Sequence, residues 1–161
     1  MKVVVLSDSH VDSIDSLPRR IVDELSGADL IVHAGDYTGT KLLEELRRSG
    51  SFKGVHGNKD PPRIRQELPA LETVVIADRR IGINHPAEGG MSFGIEDRIK
   101  AKFRDVDAII FGHTHMTMNE YKGRVLCFNP GSATGTFPAS AKTFGIITIG
   151  KEMRGEIIRV R

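Results

Sequence analysis

Val3-Val4-Val5-Leu6-Ser7-Asp8-Ser9-His10 is the stretch that decides how this chain folds. An all-apolar run rich in β-branched residues reads as a strand buried on both faces, and it stops at a carboxylate and an imidazole. The same grammar recurs down the chain. Leu30-Ile31-Val32 runs out into Gly35-Asp36, Phe52 to Val55 into Gly57-Asn58, Arg80 to Asn84 into His85, and Val106 to Phe111 into Gly112-His113-Thr114-His115. In open α/β sheets, binding and reacting groups sit beyond the carboxyl ends of the strands, where loops converge over a rigid edge. In an extended segment residues i and i+2 project to one side, so His113 and His115 are expected to aim two imidazoles at one volume.

Helices fill the gaps between the early strands. Leu17, Ile21 and Leu25 share a face, with Ser16 expected as N-cap, Pro18 in the first turn and Gly27 as the stop. A second helix is expected from Thr40 to Ser49, with Leu42, Leu43 and Leu46 inward and Gly50 closing it. Strand, helix, strand, helix, strand implies parallel strands joined by right-handed crossovers. After a loop carrying Pro61-Pro62 the strands crowd together. A hairpin of Leu71 to Ala77 with Arg80 to Asn84 is expected around Asp78-Arg79, and Ile95, Ile99 and Phe103 mark one more amphipathic helix. Asn119 to Tyr121, Arg124 to Phe128 across Lys122-Gly123, Thr143 to Ile149 and Gly155 to Val160 complete the strands. So many do not fit one short parallel sheet. The economical α/β arrangement is two stacked mixed sheets with helices outside.

A length of 161 residues is that of one ordinary domain, spanning 1–161, and 39% hydrophobic against 27% charged residues is a globular balance. Lysine plus arginine number 23 against 21 for aspartate plus glutamate, scattered rather than clustered, so no nucleic-acid footprint is visible. Lys100, Lys102 and Arg104 read as a solvated helix face. The lone Cys127 excludes an intrachain disulfide and a thiolate zinc cluster, and the apolar start is too short for a signal or membrane segment. A cytoplasmic protein is expected, without membrane partners and with homo-oligomerisation left open.

Taken singly, a strand-end aspartate or histidine is more often a cap or turn residue than a ligand. Jointly, Asp8, His10, Asp36, Asn58, His85, His113 and His115 are seven donors converging from five strand ends. That is too many for one tetrahedral zinc and suits two ions sharing a carboxylate, which about 3.5 to 4 Å apart can hold a hydroxide between them and clamp both oxygens of an in-line phosphoryl displacement. His33 and His56 read either as partners that orient Asp36 and Asn58 or as satisfied core histidines. Asn129-Pro130-Gly131-Ser132 is a turn signal that also offers backbone near a phosphate, and Arg63 and Arg65 are either phosphate contacts or ordinary exposed arginines.

Through Asp8-Ser9-His10, Gly35-Asp36, Gly57-Asn58, His85 and Gly112-His113-Thr114-His115, the chain resembles the calcineurin-like metallophosphoesterases, and among them the compact YfcE-like phosphodiesterase branch. The resemblance implies a four-layer αββα sandwich and a binuclear phosphodiesterase acting on a small phosphodiester. It assigns Asp8, His10 and His115 to one ion, Asn58, His85 and His113 to the other, and Asp36 to both. Two divalent ions are implied, Mn first, with Zn, Fe or Ni able to occupy the same ligands. Many relatives carry Gly-Asn-His-Asp or Gly-Asn-Cys-Asp where this chain has Gly57-Asn58-Lys59-Asp60, so Lys59 and Asp60 become the candidate catalytic residues and the usual histidine acid is missing. Lys59 is expected to offer positive charge to the phosphoryl oxygens, and the enzyme to favour good leaving groups. His85-Pro86 replaces the usual His-Gly-His, and Pro86 to Gly90 reads as a different, flexible rim. The alternative is a non-catalytic scaffold, because the small retromer subunit shares this fold and a stretch similar to Asn129 to Gly135.

Overall fold

The computed structural model describes residues 1–86 and 94–161. Ala87 to Gly90, part of the expected rim, lie outside the described residues. Ten strands form two five-stranded sheets. In the first sheet β1 (Lys2–Leu6) pairs in parallel with β2 (Leu30–His33), and β2 with β3 (Phe52–Gly54). On the other side β1 runs antiparallel to β9 (Lys142–Ile149), which pairs with β10 (Met153–Val160). The second sheet has the order β4 (Leu71–Ile76), β5 (Arg79–Asn84), β6 (Ala108–Phe111), β8 (Val125–Asn129), β7 (Met118–Lys122). Both sheets are mixed, because β5–β6 and β6–β8 are parallel while β4–β5 and β7–β8 are antiparallel.

Side-chain alternation sorts each strand between two layers. Val3 and Val5 of β1 face Ile81, Ile83, Ile110 and Phe128 in the core between the sheets. Val4 and Leu6 face the other way, onto Ile21 and Leu25 of α1 (Arg19–Leu25) and Leu42, Leu43 and Leu46 of α2 (Thr40–Ser49). Ile109 and Phe111 of β6 turn outward onto Ile95 and Ile99 of α4 (Ile95–Lys100). Helix, sheet, sheet, helix is the four-layer order expected. Burial of each such side chain contributes about 1.5–3 kcal/mol, which fixes strand register because a one-residue slip would send every valine to the wrong layer.

Boundaries depart from expectation where proline or turn geometry intervenes. Ser16 closes a short 3₁₀ turn, Ile14–Ser16, and α1 starts only at Arg19 with Pro18 at its cap. The cause is steric: the residue before a proline is pushed out of the helical region, and Leu17 sits at φ −77°, ψ 150°. The Pro61-Pro62 segment is more than a loop, since α3 (Pro62–Glu67) begins there with proline at its first position. The β4–β5 hairpin turns on Ala77-Asp78, not Asp78-Arg79; Ile76 pairs Arg79, and both turn residues have positive φ, as a two-residue primed turn requires. Likewise Lys122 pairs Val125, so the β7–β8 turn is Gly123-Arg124. Among the described residues, no helix is long and apolar enough to cross a membrane.

Candidate metal centre

The carboxyl ends of β1, β2, β3, β5 and β6 bring the seven expected donors together, in two groups. Ligand atoms of Asp8, His10, Asp36 and His115 lie within 4.8 Å of one another, a grouping able to hold a metal ion. His115 Nε2 is 3.2 Å from Asp8 Oδ1 and 3.3 Å from His10 Nε2. In the second group Asn58 Oδ1 lies 3.1 Å from both His85 Nε2 and His113 Nδ1. Asp36 stands between them, its Oδ2 3.8 Å from His10 Nε2 and 3.5 Å from His85 Nε2. Carboxylate oxygen, amide oxygen and imidazole nitrogen aimed at common points are the donor set of a divalent cation, so these residues fit such an ion.

Backbone conformation aims these groups. Nine non-glycine residues among those described have positive φ, and five are candidate ligands: Asp8 (50°), His10 (49°), Asp36 (60°), His113 (76°) and His115 (58°). The left-handed region costs an L-residue about 1–2 kcal/mol, and such strain collects at functional sites. It also corrects the expectation of an extended histidine pair. β6 ends at Phe111, and left-handed backbone at both histidines sends His113 to Asn58 and His115 to Asp8.

The electrostatics are those of a cation site. Burial would raise the Asp36 carboxyl, but contacts with His85, the Lys59 N–H and His10 win and hold it at about 2. Contact with Asp8 lifts His115 to about 9 against the pull of burial. Burial lowers His10 and His113, whereas at His85 the Asp36 carboxylate overcomes burial and leaves the ring raised. Two rings are steered from behind: His85 Nδ1–H donates to the Ala34 carbonyl at 2.7 Å and His115 Nδ1–H to Thr136 at 2.8 Å, leaving Nε2 inward.

Asp60, expected above as a candidate catalytic residue, makes a set of contacts that hold the site's loops together. It is buried, and its carboxylate accepts four backbone N–H groups, from Tyr37 (2.7 Å) and Thr38 (2.9 Å) on Oδ1 and from Gly57 (2.7 Å) and Asp36 (3.0 Å) on Oδ2. It therefore clamps the Asp36 loop to the Asn58 loop. Lys59 is exposed, and its N–H donates to Asp36 Oδ1 at 2.8 Å. Arg65 donates to the carbonyls of Asn58 and Asp60, and Arg63 pairs with Glu44 and Glu67, so neither is held toward the donors.

His33 is fully buried, accepts from the Gly35 N–H on Nδ1 (3.2 Å), donates from Nε2 to Ser9 Oγ (2.8 Å) and stacks on Tyr37. It thus ties the β1 loop to the β2 loop. The His56 ring reaches the Gly57 carbonyl at 3.4 Å, and its backbone N–H donates to the Pro69 carbonyl at 3.0 Å.

Asn129 to Ser132 proves to be a brace. Asn129 Nδ2 donates to the Gly112 carbonyl and Thr114 Oγ1, and its Oδ1 accepts from the Gly131 N–H. Ser132 Oγ donates to the Asp8 carbonyl at 2.8 Å and Thr134 Oγ1 to that of Ser9 at 2.7 Å. Asp60, Ser132 and Thr134 were not readable as positioning residues, because their partners lie far away in sequence. Close packing completes the frame: a Cβ at Gly112 would fall 1.9 Å from Ser7 Oγ and one at Gly57 2.1 Å from Asp36 Oδ1.

Residues 1–152 match the family model of the calcineurin-like phosphoesterase superfamily domain. A probable metallophosphoesterase of Methanocaldococcus jannaschii is 36% identical over 139 residues, covering 83% of this chain and 69% of that one. Phosphodiesterase YfcE of Escherichia coli is 29% identical over a 166-residue alignment covering 87% of this chain and 85% of that protein. Vacuolar protein sorting 29 from Cryptosporidium parvum, at 22% identity, superposes with a TM-score of 0.82 over 99% of this chain and 91% of that one, a likeness of fold.

Proposed function

Since the chain belongs to the calcineurin-like phosphoesterase superfamily, we propose that it is a metal-dependent phosphodiesterase acting on a small phosphodiester. The observation that carries this reading is Asp36 Oδ2, set between His10 and His85 with further donors on either side. On this reading Asp8, His10 and His115 hold one divalent ion, Asn58, His85 and His113 the other, and Asp36 touches both. Bound there, such a pair supplies Lewis acidity and an acidified water as nucleophile toward phosphorus.

The chain's own residues do the rest. The Ala34 and Thr136 carbonyls hold the His85 and His115 rings, Asp60 fixes the two loops, and the Lys59 ammonium absorbs charge on the phosphoryl oxygens. With lysine where a histidine acid is usual, esters with good leaving groups are favoured. Kinship with a phosphodiesterase supports the diester over the monoester. A mixed nitrogen and oxygen set favours Mn²⁺, with Zn²⁺, Fe²⁺ and Ni²⁺ as competitors.

The test is metal content after purification, together with hydrolysis of bis(4-nitrophenyl) phosphate with and without Mn²⁺. Bound metal and Mn²⁺-dependent turnover are expected. Absence of both would replace the enzyme by the scaffold reading.

A further inference from the structure

His115 Nε2 faces Asp8, and the same residue is among those lining a cleft of about 510 Å³, so the cleft and the donor cluster share one residue. Met116, Pro138 and Ile157 give it apolar surface, while Thr143, Ser140 and Arg159 supply polar groups. Phe137, 90% exposed, stands next to Pro138 in the chain. Arg159 is exposed, and among the described residues its side chain makes no hydrogen bond or ion pair. It also lines an adjoining hollow of about 540 Å³ together with Arg161, so this end of the surface is cationic. Two other hollows, lined by Met1, Asp29 and Val75 in one case and by Asp97, Phe103 and Val106 in the other, include no candidate ligand.

We propose that this cleft receives one organic arm of the phosphodiester, and that Arg159 engages a second anionic group carried on that arm. The inference rests on the phosphodiesterase reading and narrows its substrate class. A diester phosphorus placed at the cluster must direct its substituents somewhere, and His115 is common to the cluster and the cleft. The cleft volume lies within the roughly 300–1,000 Å³ of small-molecule sites, enough for a group of nucleoside size. Apolar walls suit a ring or an acyl segment, and an unpaired guanidinium suits bidentate contact with phosphate or carboxylate.

The probes are the 5′-(4-nitrophenyl) phosphodiesters of thymidine with and without a 3′-phosphate, hydrolysed by the Mn²⁺-loaded protein. They share the leaving group and differ only in the second anion. The wild type is expected to favour the 3′-phosphorylated ester by about tenfold in kcat/KM, carried by KM, as one charge-assisted contact at an exposed site implies. Arg159→Ala should bring that ratio to one, and Arg159→Lys should restore part of it. Turnover of both esters at equal kcat/KM by the wild type overturns the inference and leaves the phosphodiesterase standing. Should no ester turn over, that reading fails, and calorimetric binding of thymidine 3′,5′-bisphosphate against thymidine 5′-phosphate decides the cleft. A tenfold preference abolished in Arg159→Ala upholds it, and equal affinities overturn it.

Discussion

Replacing Asp60 with asparagine removes one negative oxygen and almost nothing else. In the wild type Oδ1 accepts from Tyr37 and Thr38 and Oδ2 from Asp36 and Gly57, over 2.7 to 3.0 Å and away from water. An asparagine amide presents one oxygen and one NH₂, so whichever way it turns, one pair of N–H groups faces a donor. A hydrogen bond to a charged group is worth about 1.5–3 kcal/mol, so losing two costs about 3–6 kcal/mol. That is a large share of the 5–15 kcal/mol that ordinarily separates folded from unfolded domains. The lost bonds lie between the loops that carry Asp36 and Asn58, so divalent-ion affinity should also fall, by about 10- to 100-fold. Urea unfolding with the metal chelated measures the first effect, and Mn²⁺ titration of the folded fraction the second. A loss below about 1 kcal/mol with unchanged Mn²⁺ affinity would refute the clamp.

Gly112→Ala forces a Cβ to 1.9 Å from Ser7 Oγ and 2.8 Å from Asp8 Oδ2, and should destabilise by about 1–3 kcal/mol with loss of metal binding; an unchanged melting temperature would contradict it. Burial holds His33 at about 3, below its unfolded value near 6.5, so the unfolded state binds more protons between those limits. Its contribution is therefore complete above about pH 6.5 and is lost as pH falls through that window, with a slope approaching 1.4 kcal/mol per pH unit. Urea unfolding of His33→Gln against wild type, both metal-free, should show that slope removed, and parallel pH profiles would disprove it. Mn²⁺ at a hundred times its dissociation constant should add about 2.7 kcal/mol per independent site to the unfolding free energy, read as a higher urea midpoint. Lys59→Ala should slow esters with poor leaving groups more than good ones if the ammonium delivers a proton, and both equally if it acts only through charge.

Strand ends were legible because an apolar run meeting Asp, Asn or His is a local pattern, and β1, β2, β3, β5 and β6 carry it openly. Helix α2 was legible, since Leu42, Leu43 and Leu46 mark its face and Gly50 its end. Long-range contacts were not. Asp60 looked catalytic by its place after Asn58, yet its four donors include three from the β2 loop, 22 to 24 residues away. Ser132 read as part of a turn and Thr134 carried no reading of its own, and their acceptors lie 124 and 125 residues back. The left-handed geometry of Asp8 and His115 was not legible, because Asp and His only tolerate that region better than other residues and most of them do not adopt it.

That geometry sets durability against chemistry at the same positions. A glycine in place of His10 or His113 would adopt their φ without the Cβ penalty and would remove a polar ring from a crowded cluster. Selection of random variants for heat resistance alone would therefore tend to erase the donors first, yielding a hardier and inert chain. Engineering this protein for harsher conditions should freeze the five left-handed donors and look for its gains in the layers that hold them.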